Sequence, residues 1–85
     1  MSENKFYELM EVRGLGFLPK MNMVIELYKE DGKLDKRGWI KGVNHSLNLK
    51  VKFMGEKRDS VVHPTWNLVY RDEEENAIAD FRSEI

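Results

Sequence analysis

Arg37-Gly38-Trp39-Ile40-Lys41-Gly42-Val43-Asn44-His45-Ser46-Leu47-Asn48-Leu49-Lys50-Val51-Lys52-Phe53 decides the fold of this chain. Leu47, Leu49, Val51 and Phe53 recur at every second position, with Asn48, Lys50 and Lys52 between them. Period-2 alternation of this kind marks a strand with one dry and one wet face. Asn44, His45 and Ser46 form a polar break that predicts a turn, so the stretch reads as a hairpin. Gly42 in its first arm predicts a bulge or a sharp bend. A lone strand pair is unstable in water, so the remaining chain must supply partners for the apolar face.

Upstream, Met21, Met23, Ile25 and Leu27 predict a core strand over 21–28, with Asn22, Val24, Glu26 and Tyr28 facing outward. Glu30-Asp31-Gly32-Lys33 is a turn signal. A charged excursion continues to Lys36 before the chain re-enters the sheet at Gly38. Further upstream, Phe6, Leu9, Met10 and Arg13 have helical spacing, with Ser2 as a candidate cap and Gly14 as a stop. A short helix is preferred there over a strand carrying Phe6, Met10 and Val12. Gly14 to Pro19 reads as a loop, with Phe17 and Leu18 tucked under the barrel end.

Downstream, Met54 to Ser60 is a charged loop and Val61 to Tyr70 resumes extended structure. Pro64, which has no backbone donor, belongs at a strand start or edge. Asp72 to Asn76 reads as a hairpin loop and Ala77 to Phe81 as a last strand. The rival is a C-terminal helix capped by Asp72, with Ile78, Phe81 and Ile85 on one side.

The fold class is therefore mainly β: a small barrel of about five antiparallel strands with a short N-terminal helix. The order of elements and the Gly38-Trp39-Ile40-Lys41-Gly42 segment resemble the SH3-like small barrel, including its Tudor and KOW relatives, over about residues 18–81. The Ala-Leu-Tyr-Asp-Tyr-type opening of eukaryotic SH3 domains is absent, so the resemblance brings no proline-ligand groove. The alternative to a core place for Trp39 is a cluster of Tyr28, Trp39 and Tyr70 at one barrel mouth, which would make a stacking or cation-binding platform as in Tudor-type cages.

Eighty-five residues make one domain, 1–85. Hydrophobic residues at 41 % and charged residues at 34 % describe a globular chain. No apolar run approaches the roughly 18 residues of a membrane span. The start Met1-Ser2-Glu3-Asn4-Lys5 lacks the apolar stretch of a signal peptide. Without cysteine there is neither a disulfide framework nor a thiolate metal site, and the cytoplasm is the expected location. The net charge of −1 conceals a segregation: residues 31–60 hold eight bases and four acids, and residues 61–85 two bases and six acids.

No catalytic constellation stands out. His45 and His63 with Asp59 fall short of the three or four ordered ligands that a metal site needs. Asp59, Ser60 and His63 are neighbours in sequence without the geometry of a triad. Gly14 and Gly16 precede a proline and make no phosphate loop. The chain is expected to be a non-enzyme with no cofactor, metal or small-molecule substrate. Tryptophan is usually mostly buried, so a core place is the heavier reading for both Trp39 and Trp66.

Two functions remain. One is a protein-docking module, a small stand-alone regulator that binds a surface of a larger protein, with an acidic surface as the candidate, and has no membrane role. The other is a nucleic-acid binder using the basic 31–60 region. Docking is favoured, because the acidic C-terminal third and the net charge oppose nucleic acid. Candidate partner-binding residues are Trp39, Lys41, Asn44, His45, Lys50 and Lys52, on the outer face of the hairpin and at its turn. The bland alternative for the lysines is a solvated sheet face.

Overall fold

A computed structural model describes residues 2–82, with side chains from Lys5 to Arg82. One helix, α1 (Ser2–Arg13), precedes six strands: β1 (Val24–Tyr28), β2 (Leu34–Val43), β3 (Leu49–Phe53), β4 (Ser60–Val62), β5 (Leu68–Arg71) and β6 (Ala77–Asp80). They form one antiparallel sheet in the order β4-β3-β2-β1-β5-β6. The sequence predicts about five strands and the structure has six. The difference lies in residues 61–70, which are two strands rather than one.

The long strand β2 holds the sheet together. Leu34 to Trp39 pair with β1, and Gly38 to Val43 pair with β3. Gly38 therefore lies between Ile25 and Phe53. A Cβ there would sit 2.2 Å from the Lys52 carbonyl oxygen and 2.7 Å from the Phe53 Cα. Only glycine admits an approach this close. The expected irregularity occurs three residues later. The register steps from Ile40↔Val51 to Gly42↔Lys50, leaving Lys41 as the extra, bulged residue. Gly42 itself is sterically unconstrained, its nearest neighbour being Lys50 Cδ at 3.9 Å.

The inner face follows the alternation. Leu49, Val51 and Phe53 of β3 are buried with Ile25, Ile40, Leu68 and Tyr70. Burying each of these side chains contributes about 1.5–3 kcal/mol relative to exposure. Phe6 and Leu9 of α1 join this core because they lie three apart on one helical face. Gly14, at φ +64°, ends the helix, and the Leu15 N–H donates to the Met10 carbonyl at 3.0 Å. This is the six-to-one bond of a Schellman stop, with Leu15 returning to the core. The expected Ser2 cap lies outside the described side chains. Phe17 and Leu18, expected under a barrel end, pack partly buried against the core of the sheet, the Phe17 ring meeting Tyr70 edge-on at 4.8 Å.

Several local expectations need correction. The chain makes no excursion to Lys36. Gly32 at φ +87° closes a tight turn, the Lys29 N–H donates to the Lys33 carbonyl, and β2 starts at Leu34. The first strand starts at Val24 rather than 21, because Asn22 at φ +66° belongs to a turn, and Met21 is exposed. Glu26, expected outward into water, is only 6 % exposed beneath arginine side chains. Residues 63–67 break the extended run. The Thr65 N–H donates to His63 Nδ1, Asn67 takes φ +54°, and Tyr70 Oη donates to the Pro64 carbonyl at 2.6 Å. Trp66 sits in this turn and is 74 % exposed, which overturns its core reading. The hairpin, not the rival helix, occupies the acidic end. Asp72 Oδ1 accepts the N–H groups of Glu74 and Asn76, Glu75 takes φ +65°, and β6 follows. Ser83 to Ile85 lie outside the described residues.

Candidate functional site

The outer face of β2, β3 and β4 carries most of the predicted binding residues. Trp39 lies directly across the ladder from Lys52, and Lys50 lies between Gly42 on β2 and Val61 on β4. Lys50 and Lys52 are two apart on one strand and so share this face. Trp39 is 36 % exposed and Val61 55 % exposed, so an indole and an isopropyl group stand among the lysines. The bulge projects Lys41 beside them, where its Nζ donates to Asn22 Oδ1 at 2.8 Å. The strand β4 pairs with β3 alone, and β6 is the other end of the sheet.

The two turn residues part company. His45 is exposed at the tip. Asn44 instead builds the turn: its Oδ1 accepts the N–H groups of Ser46 at 3.0 Å and Asn48 at 2.9 Å. Leu47 takes φ +60°, and Arg13 reaches in from the helix. The Arg13 guanidinium donates to the carbonyls of Leu47 and Ser46 and to Asn48 Oδ1, each at 3.2 Å. The sequence placed Arg13 on the helical face without revealing this clamp, because its partners lie 33 to 35 residues away.

The charges around the face are ordered. Lys36 Nζ lies 2.7 Å from Glu56 Oε2 and 5.4 Å from the Phe53 ring centroid. Hydrogen bonding from Lys36 holds the Glu56 carboxyl below its ordinary range, with a smaller contribution from Lys52. Lys50 has no ion-pair partner among the described residues and presents its charge to solvent.

Beside this basic face lies a cluster that the sequence did not announce. The Glu26 carboxylate accepts Arg71 Nε at 2.5 Å and Tyr28 Oη at 3.1 Å, with Arg37 Nη1 at 3.9 Å. Arg37 also pairs with Glu75, and Arg71 donates to the Glu75 carbonyl at 2.9 Å. The cluster fastens the β5–β6 turn across β1 to β2. The expected Tyr28, Trp39 and Tyr70 platform does not form. Tyr70 is fully buried on the inner face, while Trp39 stands on the outer one.

Val24 pairs with Trp39 on one side and Arg71 on the other, and it leads from the basic face into an open groove of about 610 Å³. Segment 17–24 forms one part of the lining, with Leu18, Met21 and Met23, and the β5–β6 hairpin the other, with Asp72, Glu73, Glu74 and Ile78. Elsewhere, the His63 and Trp66 rings lie 5.6 Å apart between centroids, tilted by 52°. Burial first, and the charge of Arg13 second, lower the His63 pKa.

Among the described residues, no three His, Asp or Glu side chains gather as a metal site, and no helix is long and apolar enough to cross a membrane. Comparison with protein-family models, curated proteins and solved structures finds no match to this chain.

Proposed function

We propose that this chain is a non-catalytic docking module, an SH3-like small barrel acting as a stand-alone cytoplasmic regulator by occupying an acidic surface of a larger protein. The observation that carries the docking surface is the exposed Trp39, set directly across from Lys52 and beside Lys41 and Lys50 on one sheet face. Exposed tryptophan amid flexible cations suits a protein interface. The indole supplies buried area on contact, and the lysines steer and orient an acidic partner. The barrel reading is supported by the path of the chain. It meanders through β1 to β4, returns to lay β5 beside β1, and pairs β2 with β1 along its first half and with β3 along its second.

The same tryptophan and lysines also suit stacking and phosphate contacts with single-stranded nucleic acid. The acidic run at 72–75 and the net charge of −1 oppose that second reading. Affinity capture from the cell of origin, with and without nuclease, identifies the partner. Titration of that partner with Lys50→Glu/Lys52→Glu then tests the face. Docking predicts a protein partner, a folded double variant and at least a tenfold weaker complex. A nucleic-acid partner would instead lose orders of magnitude in affinity between about 50 and 200 mM salt. Unchanged affinity in the folded double variant would reduce the face to a solvated sheet surface.

A further inference from the structure

The groove beside the basic face has the opposite chemistry. Its floor carries the thioethers of Met21 and Met23 with Leu18 and Ile78, and Met21 and Ile78 are each more than two-fifths exposed. Unbranched, polarisable methionines adapt to varied apolar side chains, a property of surfaces that accept peptides. One wall is the turn of Asp72, Glu73 and Glu74. Asp72 is spent on its own turn, capping the Glu74 and Asn76 N–H groups. The Glu73 and Glu74 carboxylates are exposed and enter no ion pair among the described residues. Arg71 in the same lining is neutralised by Glu26, which leaves Lys20 as its cation without an ion pair among the described residues. The free charge at the hairpin wall is therefore negative, and that wall is fixed in place by the Arg37–Glu75 and Arg71–Glu26 pairs.

We propose that this groove is a second docking surface, which takes a basic amphipathic segment of a partner protein. An apolar side chain enters over Met21, Met23 and Ile78, and Lys or Arg residues about one helical turn away meet Glu73 and Glu74. The charges fix the orientation: the basic end of the segment lies toward the β5–β6 turn and away from Lys41. The surface is chemically separate from the Trp39 face, so it stands or falls independently of the reading proposed above.

The test uses the full chain and a synthetic amphipathic probe helix with leucines on one face and lysines on the other. Methyl spectra of the methionines report the site directly. The expected result is saturable shifts at Met21 and Met23, with a Kd on the order of 100 µM. Glu73→Lys/Glu74→Lys should weaken binding about tenfold, because two attractions between exposed charges become repulsions. Ile78→Asp should abolish the shifts without loss of fold, because Ile78 already stands partly in water. Lys50→Glu/Lys52→Glu should bind the probe at least as well as the parent. A probe with glutamates in place of the lysines should not bind. Probe shifts that spare Met21 and Met23, or equal affinity in the charge-reversed variant, would overturn the proposal. So would concentration-dependent self-association removed by Ile78→Asp, which would assign the groove to a second copy of the chain.

Discussion

Substituting Gly38 by alanine isolates the close approach on which the sheet depends. A Cβ at position 38 would lie 2.2 Å from the Lys52 carbonyl oxygen and 2.7 Å from the Phe53 Cα. Non-bonded atoms of these kinds settle at about 3.5–4.0 Å, so β2 and β3 must separate by about 1 Å or more at this point. Both obstructing atoms are backbone, and no rotamer change relieves the overlap. The neighbouring bond from the Met54 N–H to the Arg37 carbonyl, 2.8 Å long, would be stretched with it. Overpacking costs about 1–3 kcal/mol, and each weakened hydrogen bond adds about 1 kcal/mol. The expected loss is about 2–4 kcal/mol, a large share of the 4–13 kcal/mol or so typical for a chain of this length. Gly42→Ala is the internal control, because its Cβ would meet nothing closer than 3.9 Å. It should change stability by less than about 1 kcal/mol. Urea denaturation followed by circular dichroism compares the two at equal m-value. Equal costs for Gly38→Ala and Gly42→Ala would refute the packing argument.

Three further outcomes follow from contacts across the chain. Glu26→Ala leaves Arg71 and Arg37 without their shared carboxylate and should cost about 2–3 kcal/mol in chemical denaturation; a loss below about 0.5 kcal/mol would show that the cluster is merely solvated charge. Arg13→Ala removes the clamp on the 46–48 turn and should cost about 1–2 kcal/mol, with faster amide exchange at Leu47 and Asn48 as its local signature. His63 has a folded pKa below its ordinary value, so the unfolded chain takes up the proton first. Its contribution is present above the unfolded pKa, about 6.5, and is lost as pH falls through the folded value. The melting temperature of the parent should therefore fall more between pH 7 and about pH 5 than that of His63→Gln; identical profiles would contradict this.

What the sequence made legible is local. The alternation at Leu49, Val51 and Phe53, the helical spacing of Phe6 and Leu9, and the turns at Gly32 and Asp72 each rest on residues within a few positions of one another. Their chemistry is decided before the chain folds. Some missed features rest on partners far along the chain, and one rests on turn contacts that strand alternation does not register. Glu26 looked like an outward, solvated position, and its burial is made tolerable by Arg71, 45 residues away, together with Arg37 and the Tyr28 hydroxyl. Trp66 fitted an alternating strand with Leu68 and Tyr70. The turn that exposes it depends on His63 Nδ1 and on the Tyr70 hydroxyl reaching Pro64. The need for glycine at 38 appears only when β3 is laid against it. Of the candidate site, the Lys50 and Lys52 face follows from strand period alone. The groove joins segments 17–24 and 71–78, which carry no mark of their association in the sequence.

The central claim, that Trp39 and its lysines form the docking surface, is tested most directly by site-specific photo-crosslinking. A benzophenone amino acid replaces Trp39 in the full chain, expressed in the cell of origin, with Tyr7 on the outer side of α1 as the comparison position. Both sites are exposed, so chance collisions should label them alike. The account predicts one discrete protein adduct from position 39, unaffected by nuclease and absent from position 7. Adducts of equal pattern from both positions, or a position-39 adduct removed by nuclease, would contradict it.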